Sequence, residues 1–272
     1  MKKEELRHIS TSHYRKIQKH LDGIVEDMDG EEIHQLRVEY KKLRAFFRML
    51  SSTPRVKEEI KVSKKLKQLY SLYGTVRDLQ LQQKRIKEAV KNNTQKISPY
   101  LDLLQSEIDK TEPELQDILS KKPVQESKKK TNAGLPDKFL KHDFHQFVED
   151  KWSSVYAILA SGHYSDDNIH SIRKHLKDLF YNLKEYEGKK IKVLSAGIWK
   201  GQDEKFIAAL LDELGTFQDR CTSISLLKAY WIKRFVLPVR KLLDELKQQW
   251  IKEKTGMKRV LVRKMQTGIK II

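Results

Sequence analysis

The sequence predicts an all-α protein made of two related helical halves. Three observations predict it: helix formers far outnumber helix breakers, two amphipathic segments share one layout, and short phrases recur in the same order in both halves. Six prolines and eleven glycines in 272 residues leave room for long helices, and Lys, Glu, Leu and Gln are plentiful. An apolar content of 39% is enough to build a core in each half. Strand signals are nearly absent, the one brief candidate being Val260 to Arg263.

Taken in order, the apolar periodicity places helices over 3–21, 30–50, 55–73, 76–92 and 96–119, then over 136–160, 166–186, 203–214, 217–235 and 238–254. Pro99, Pro113, Pro136 and Pro238 mark starts or breaks, and Pro113 is expected to kink or split its helix. Gly23, Gly74, Gly188 and Gly215 mark ends, while Asp29, Asp166 and Asp167 can cap the amphipathic helices. The stretch 120–138, SKKPVQESKKKTNAGLPDK, has two prolines, a glycine and a basic run without apolar periodicity, and so reads as a linker. The expected division is a first bundle over 1–120, a linker over 121–135, a second bundle over 136–255 and a basic tail over 256–272.

The halves are related. His34, Arg37 and Lys41 have the same spacing as His170, Arg173 and Lys177, and LYGTVRD, ending at Asp78, is echoed by ELGTFQD, ending at Asp219. Two phrases in one order at similar separation predict an internal duplication. At about 100° per residue, Ile33, Leu36, Tyr40, Leu43, Phe47 and Leu50 share one arc, and His34, Arg37, Lys41, Arg44 and Arg48 share a second arc beside it. The second helix repeats this with Ile169, Ile172, Leu176, Leu179 and Leu183 on the core face. His170, Arg173, Lys177 and Lys184 lie beside them, with Lys174 at the margin. A line of like charges at helical spacing repels itself. Glu39 and Asp178 lie outside the stripes, so the cations are suited to an external anion.

The net charge of +18 points the same way, toward nucleic acid, an acidic membrane surface or inorganic polyphosphate. The single Cys221 permits no internal disulfide, and Met1 to Leu21 is charged throughout, unlike a signal peptide. No segment approaches the apolar length of a membrane span. A reducing, cytoplasmic setting is therefore expected.

These motifs resemble the conserved histidine α-helical domain, CHAD. The family's His-x-x-Arg-Val helix is matched by His34, Arg37, Val38, Lys41, Lys42 and Arg44, and its Leu-Gly-x-x-Arg-Asp phrase is similar to Tyr73-Gly74-Thr75-Val76-Arg77-Asp78. The second-half motif resembles His170, Arg173, Lys174, Lys177 and Tyr181, followed by Leu214, Gly215 and Asp219. Phe180 stands where the family usually has Arg, and Gln218 stands where Arg77 stands in the first half. The resemblance reaches from the N-terminal helix to about residue 250. It implies two four-helix bundles related by pseudo-twofold symmetry around a basic groove or pore, with polyphosphate as ligand and association with polyphosphate granules.

Polyphosphate has charges but no bases, so its receptor needs cations along a groove and nothing that reads an edge. To the two stripes the expected ligand set adds Arg77 and Arg220, although the neighbouring Asp78 and Asp219 also read as helix caps. Lys57, Lys61, Lys64 and Lys65 could extend the path. Single-stranded nucleic acid is the nearest competitor. Its binders interleave aromatic residues with cations, whereas Tyr40, Phe46 and Phe47 fall toward the core and Phe180 alone lies in a stripe. The basic tail could serve as a weak DNA-binding arm or a docking segment.

Catalysis is not expected. The stripes carry no carboxylates to hold Mg²⁺, and there is no Gly-rich phosphate loop, nucleophile elbow or zinc-binding helix motif. An enzyme or accessory subunit of polyphosphate metabolism is the weaker alternative. His142 and His145 have helical ligand spacing without a third partner, so neither metal nor cofactor is expected, and Cys221 reads as buried and inert.

Overall fold

The computed structural model of the protein describes residues 1–90, 94–187, 197–199 and 202–267, apart from the side chains of 25–27, 94, 184 and 187. The described chain is all-α. In order it forms α1 (Lys3–Asp27), α2 (Gly30–Ser51), α3 (Lys64–Val90), α4 (Thr94–Asp109), α5 (Glu112–Ser120) and α6 (Pro123–Ala133). Then follow α7 (Lys141–Ala160), α8 (Asp166–Glu187), α9 (Glu204–Leu226), α10 (Ala229–Ile232) and α11 (Leu237–Gln266). The expected four-helix halves thus carry additional short helices.

Local chemistry explains several helix starts. Asp29 caps α2, its Oδ1 accepting from the Glu32 N–H at 2.7 Å, and Asp203 caps α9 by accepting from Phe206 N–H at 3.0 Å. At α8 the cap is Ser165, whose Oγ accepts from Asn168 N–H at 3.1 Å. Asp166, expected to cap, instead takes Lys254 at 2.7 Å and Lys258 at 3.0 Å from α11. Pro113 and Pro238 stand at the starts of α5 and α11, where a missing N–H costs nothing.

Four expectations are corrected. The helices placed over 55–73 and 76–92 are a single helix, α3, preceded by an irregular 52–63 segment. Likewise 203–214 and the first part of 217–235 are joined through Gly215 in α9, which ends at Leu226 before the short α10. The 121–135 linker is mostly α6, which buries Val124, Ser127 and Thr131 against α1 and α3. Tyr14 of α1 meets both Ser127 Oγ, at 2.9 Å, and Thr131 Oγ1, at 3.0 Å. Short polar residues hid this helix because they bury hydroxyls instead of alkyl groups. Finally, the strand candidate Val260 to Arg263 and the tail from 256 to 266 belong to α11, which buries Leu261 and Met265. Residues 268–272 lie outside the described ones.

One continuous apolar core runs from Leu6 to Met265. Helix α1 packs on α2, α2 on α3, α7 on α8, and α8 on α9. The helices carrying the matched motifs also meet across the molecule, α2 against α8 and α3 against α9. At the first junction Asn182 Nδ2 donates to the Ala45 carbonyl at 3.0 Å. Buried His13 of α1 lies 2.9 Å from Glu39 of α2 and 3.4 Å from Glu185 of α8, tying three helices together. Burial opposes its charge, but the two carboxylates prevail and the imidazole is raised above its usual range.

Candidate functional site

The side chains that the α2–α8 junction brings together are the motif cations. Lys41 is pushed down to about 8, chiefly by burial and then by Arg37, Lys177 and Arg173. Lys177 is also held at about 8, again by burial first and then by Arg173, with Asp212 and Asp219 opposing. Each lysine thus feels the arginine of the other half or its own, and cations from both stripes share one half-buried cluster. His34 is lowered by partial burial, opposed by Glu31 and reinforced by Arg77, Lys41 and Lys177. His170 is lowered by burial, against which Gln218 contributes a hydrogen bond.

The glycines of the repeated phrases do not end helices, and Gly74 makes room for a motif arginine. A Cβ on Gly74 would lie 2.0 Å from Arg37 Nη1, and one on Gly215 would lie 3.5 Å from Arg173 Nη2. Seated on Gly74, the Arg37 guanidinium donates to the Tyr70 carbonyl at 3.3 Å and lies 4.8 Å from the centroid of the Tyr70 ring. Arg77 reaches the start of α2 in the same way, its Nη1 falling 2.4 Å from where a Gly30 Cβ would be. The first phrase thus serves the first motif in two ways.

On the α8–α9 side the groove opens as a pocket of about 500 Å³ lined by Arg173, Lys177, Phe180, Tyr181, Gly215, Asp212 and Asp219. Phe180 supplies an apolar wall there. Lys177 Nζ stands 5.8 Å from the Tyr181 ring centroid. Arg77 Nε, Arg173 Nε and His170 Nδ1 are buried without a hydrogen-bond partner in the protein. Orphaned buried donors are costly and call for an acceptor.

Carboxylates reach this groove from α3 and α9, which the stripes alone do not reveal. Asp78 is raised by burial and by Asp219, against the pull of Arg37, Lys41 and Arg85. Asp219 takes Arg85 of α3 at 3.0 Å. Both stand inside uninterrupted helices, so neither is a cap. Arg85, which no motif marks, bridges α3 and α9, donating also to Ser223 Oγ at 2.9 Å.

Several candidates lie elsewhere. Lys42 turns away and donates to buried Glu39 at 2.6 Å. Arg48 forms a two-point pair with buried Asp178 of α8, which also accepts from Lys151 at 3.2 Å. Asp178 thus neutralises a cation of another helix through packing, while Glu39 neutralises Lys42 within α2 itself. Arg220 holds α9 to α11, with Nη2 2.9 Å from Glu253 and the guanidinium carbon 4.9 Å from the Trp250 centroid. Lys174 is exposed beside His170, and Arg44 is exposed over the Tyr40 ring at 5.8 Å. The Lys184 side chain lies outside the described residues.

Among the extension lysines, Lys57 is exposed, Lys65 pairs with Glu126 at 2.7 Å, and Lys61 and Lys64 join a second basic pocket with Lys67 and Lys130. His142 lies 3.1 Å from Asp143, and the described residues contain no group of three ligands that could hold a metal. Burial, then Asp166, raises the Cys221 thiol above its usual range. Two basic residues of the α11 end are engaged as well, Lys258 with Asp166 and Lys264 with Glu213 at 2.5 Å. No helix among the described residues is long and apolar enough to cross a membrane.

Comparison with known proteins places this geometry. The CHAD domain model matches residues 8–228. The fold is similar to the CHAD domain from the plant Ricinus communis, with a TM-score of 0.64 at 17% identity over 98% of this chain and 88% of that one. It is also similar to PptA from Streptomyces chartreusis, with a TM-score of 0.67 at 10% identity over 97% and 98% of the two chains. No match was found among curated proteins. With the family model spanning both motif helices and both glycine phrases, this chain belongs to the CHAD domain family.

Proposed function

We propose that the protein binds inorganic polyphosphate along the groove between α2 and α8, as a binding or targeting module without catalytic turnover. The observation that carries this reading is the half-buried cluster of Lys41 and Lys177 with Arg37 and Arg173, in which burial first and neighbouring cations second depress both lysines to about 8. Such a cluster is relieved by a polyanion threading between the helices. Arginine can fork two phosphate oxygens, lysine follows the chain as a point charge, and His34 and His170 can donate from ring N–H groups. Phe180 and Tyr181 line the pocket beside Arg173 and Lys177, but Tyr40 and Phe47 of α2 are buried, so aromatics do not alternate with cations along both walls, which favours a baseless polyanion over single-stranded nucleic acid. We place the protein in the cytoplasm, at polyphosphate granules.

The test is titration with long-chain polyphosphate and with duplex and single-stranded DNA at physiological salt, for the native protein and for Arg37→Ala/Arg173→Ala. Polyphosphate should bind tightest, and the double variant should fold and lose tenfold or more in affinity. Tighter binding of either DNA would overturn the assignment. Chain length should stay constant during incubation with Mg²⁺; shortening would show an enzyme.

A further inference from the structure

A second basic pocket, of about 320 Å³, lies at the far end of α2. Arg44 stands seven residues beyond Arg37, about 10 Å further along the helix axis, so the pocket continues the same face past the central groove. Its walls come from four segments: α2, the irregular 52–63 segment, α3 through Lys64 and Lys67, and α6 through Lys130. The irregular wall is fixed at both ends, Ile60 N–H donating to Ser51 Oγ at 2.9 Å and Ser63 N–H donating to Ser127 Oγ at 3.0 Å. The helix standing where the sequence reads as a linker thus both supplies a cation and holds the wall.

The charge in this pocket is largely unspent. Arg48 is committed to Asp178, and Lys61 shares Glu59 at 2.8 Å. Arg44, Lys64, Lys67 and Lys130 form no ion pair among the described residues. An independent observation comes from Tyr40, which lines the pocket yet is wholly buried, with a hydroxyl that has no hydrogen-bond partner in the protein. Its ring is held by stacking on Tyr70 at 4.0 Å, so the hydroxyl cannot swing away to find one. A buried unpaired donor among unneutralised cations calls for an anionic oxygen.

We propose that this pocket holds the terminal phosphates of a polyphosphate chain whose interior lies in the α2–α8 groove. The proposal rests on the function proposed above. The groove is a track of cations from two helices, whereas the pocket is a focus of cations from three. Interior phosphates carry one charge each, and the end phosphate carries a second ionisation near neutrality, as phosphomonoesters do. A focus of charge selects the most highly charged part of the chain. The pocket thereby gives the groove a fixed starting point.

The experiment measures binding of tripolyphosphate, of long-chain polyphosphate, and of long chains with both ends blocked as neutral esters. Native protein should bind free-ended chains about tenfold more tightly than end-blocked ones. The variant Lys64→Gln/Lys67→Gln/Lys130→Gln, altered only at exposed positions, should bind the two alike and lose tenfold or more in tripolyphosphate affinity. Tyr40→Phe should weaken tripolyphosphate several-fold without lowering the melting temperature, because it removes only an unsatisfied hydroxyl. No native preference for free ends, or an undiminished preference in the triple variant, would overturn the pocket. Unchanged binding of end-blocked chains by Arg37→Ala/Arg173→Ala would indict the groove instead, leaving the tripolyphosphate result to judge the pocket.

Discussion

Gly74 and Gly215 occupy equivalent places in the two repeated phrases but leave different amounts of room. Gly74→Ala would gain about 1 kcal/mol of helix propensity while its Cβ, 2.0 Å from Arg37 Nη1, drives the guanidinium off the Tyr70 carbonyl. The obstructing atom is the end of a flexible side chain, so the fold should survive and binding should suffer. Thermal stability unchanged or raised, with polyphosphate affinity down about tenfold, is the expected outcome. Gly215→Ala meets Arg173 at an ordinary 3.5 Å and should stabilise the protein with affinity retained. Equal binding by the two variants would mean that the Arg37 seat does not serve the ligand.

Lys41 and Lys177 give the site a pH signature. Their ammonium groups titrate near 8 in the free protein, against an ordinary 10.5, and a bound polyanion draws them back toward the ordinary value. Binding therefore takes up protons above pH 8, and affinity should fall as pH rises from about 8 toward 10.5. Lys41→Arg/Lys177→Arg should abolish that fall, since arginine does not titrate there. The sign for stability is opposite. Groups depressed in the fold bind fewer protons folded than unfolded over this range, so the empty protein should gain stability as pH rises through it. A flat affinity profile would show the two lysines to be outside the site.

At the level of elements, the α2–α8 junction divides its charges between ligand and fold. Arg37, Lys41, Arg173 and Lys177 face the groove, while Arg48, one stripe position further along α2, is consumed by Asp178, only 5% exposed. Removing Arg48 leaves that carboxylate with Lys151 alone. Arg48→Ala is expected to cost about 1–3 kcal/mol of stability, discounted because Arg48 itself is partly exposed, with little loss of affinity for end-blocked polyphosphate. Denaturant melts and titration of the same variant separate the two roles. A loss of affinity equal to that of Arg37→Ala would return Arg48 to the groove. The helix wheel cannot make this distinction, because it knows the face of a residue on its own helix and not the carboxylate that arrives on another. The same limit misplaced Arg220, which Glu253 and Trp250 of α11 withdraw, whereas Lys42 is withdrawn by Glu39 three residues earlier on its own helix.

For the whole molecule, a net charge of +18 means that the empty protein folds against its own repulsion. A ligand that binds the folded state adds RT ln(1 + [L]/Kd) to stability, about 2.7 kcal/mol at a hundredfold excess over Kd. Polyphosphate should raise the melting temperature by several degrees at low salt, and this gain should shrink steeply as salt rises, as counterion release demands. A salt-independent gain would show that binding is not driven by charge.

The sequence by itself determined the fold class, the two motif helices and the face of each that carries charge. Those follow from periodicity, which is local: Ile33, Leu36 and Tyr40 are buried where the 3.6-residue repeat puts them. The family followed from two phrases at matched spacing. Tertiary structure alone decided which cations remain free for a ligand, why the first phrase contains glycine, and that α6 is part of the fold. Those depend on partners far along the chain: Arg37 over Gly74, Arg48 against Asp178, Tyr14 on Ser127 and Thr131. A side chain's charge is written in the sequence, but whether a carboxylate, a glycine or open space lies opposite is set by packing between helices.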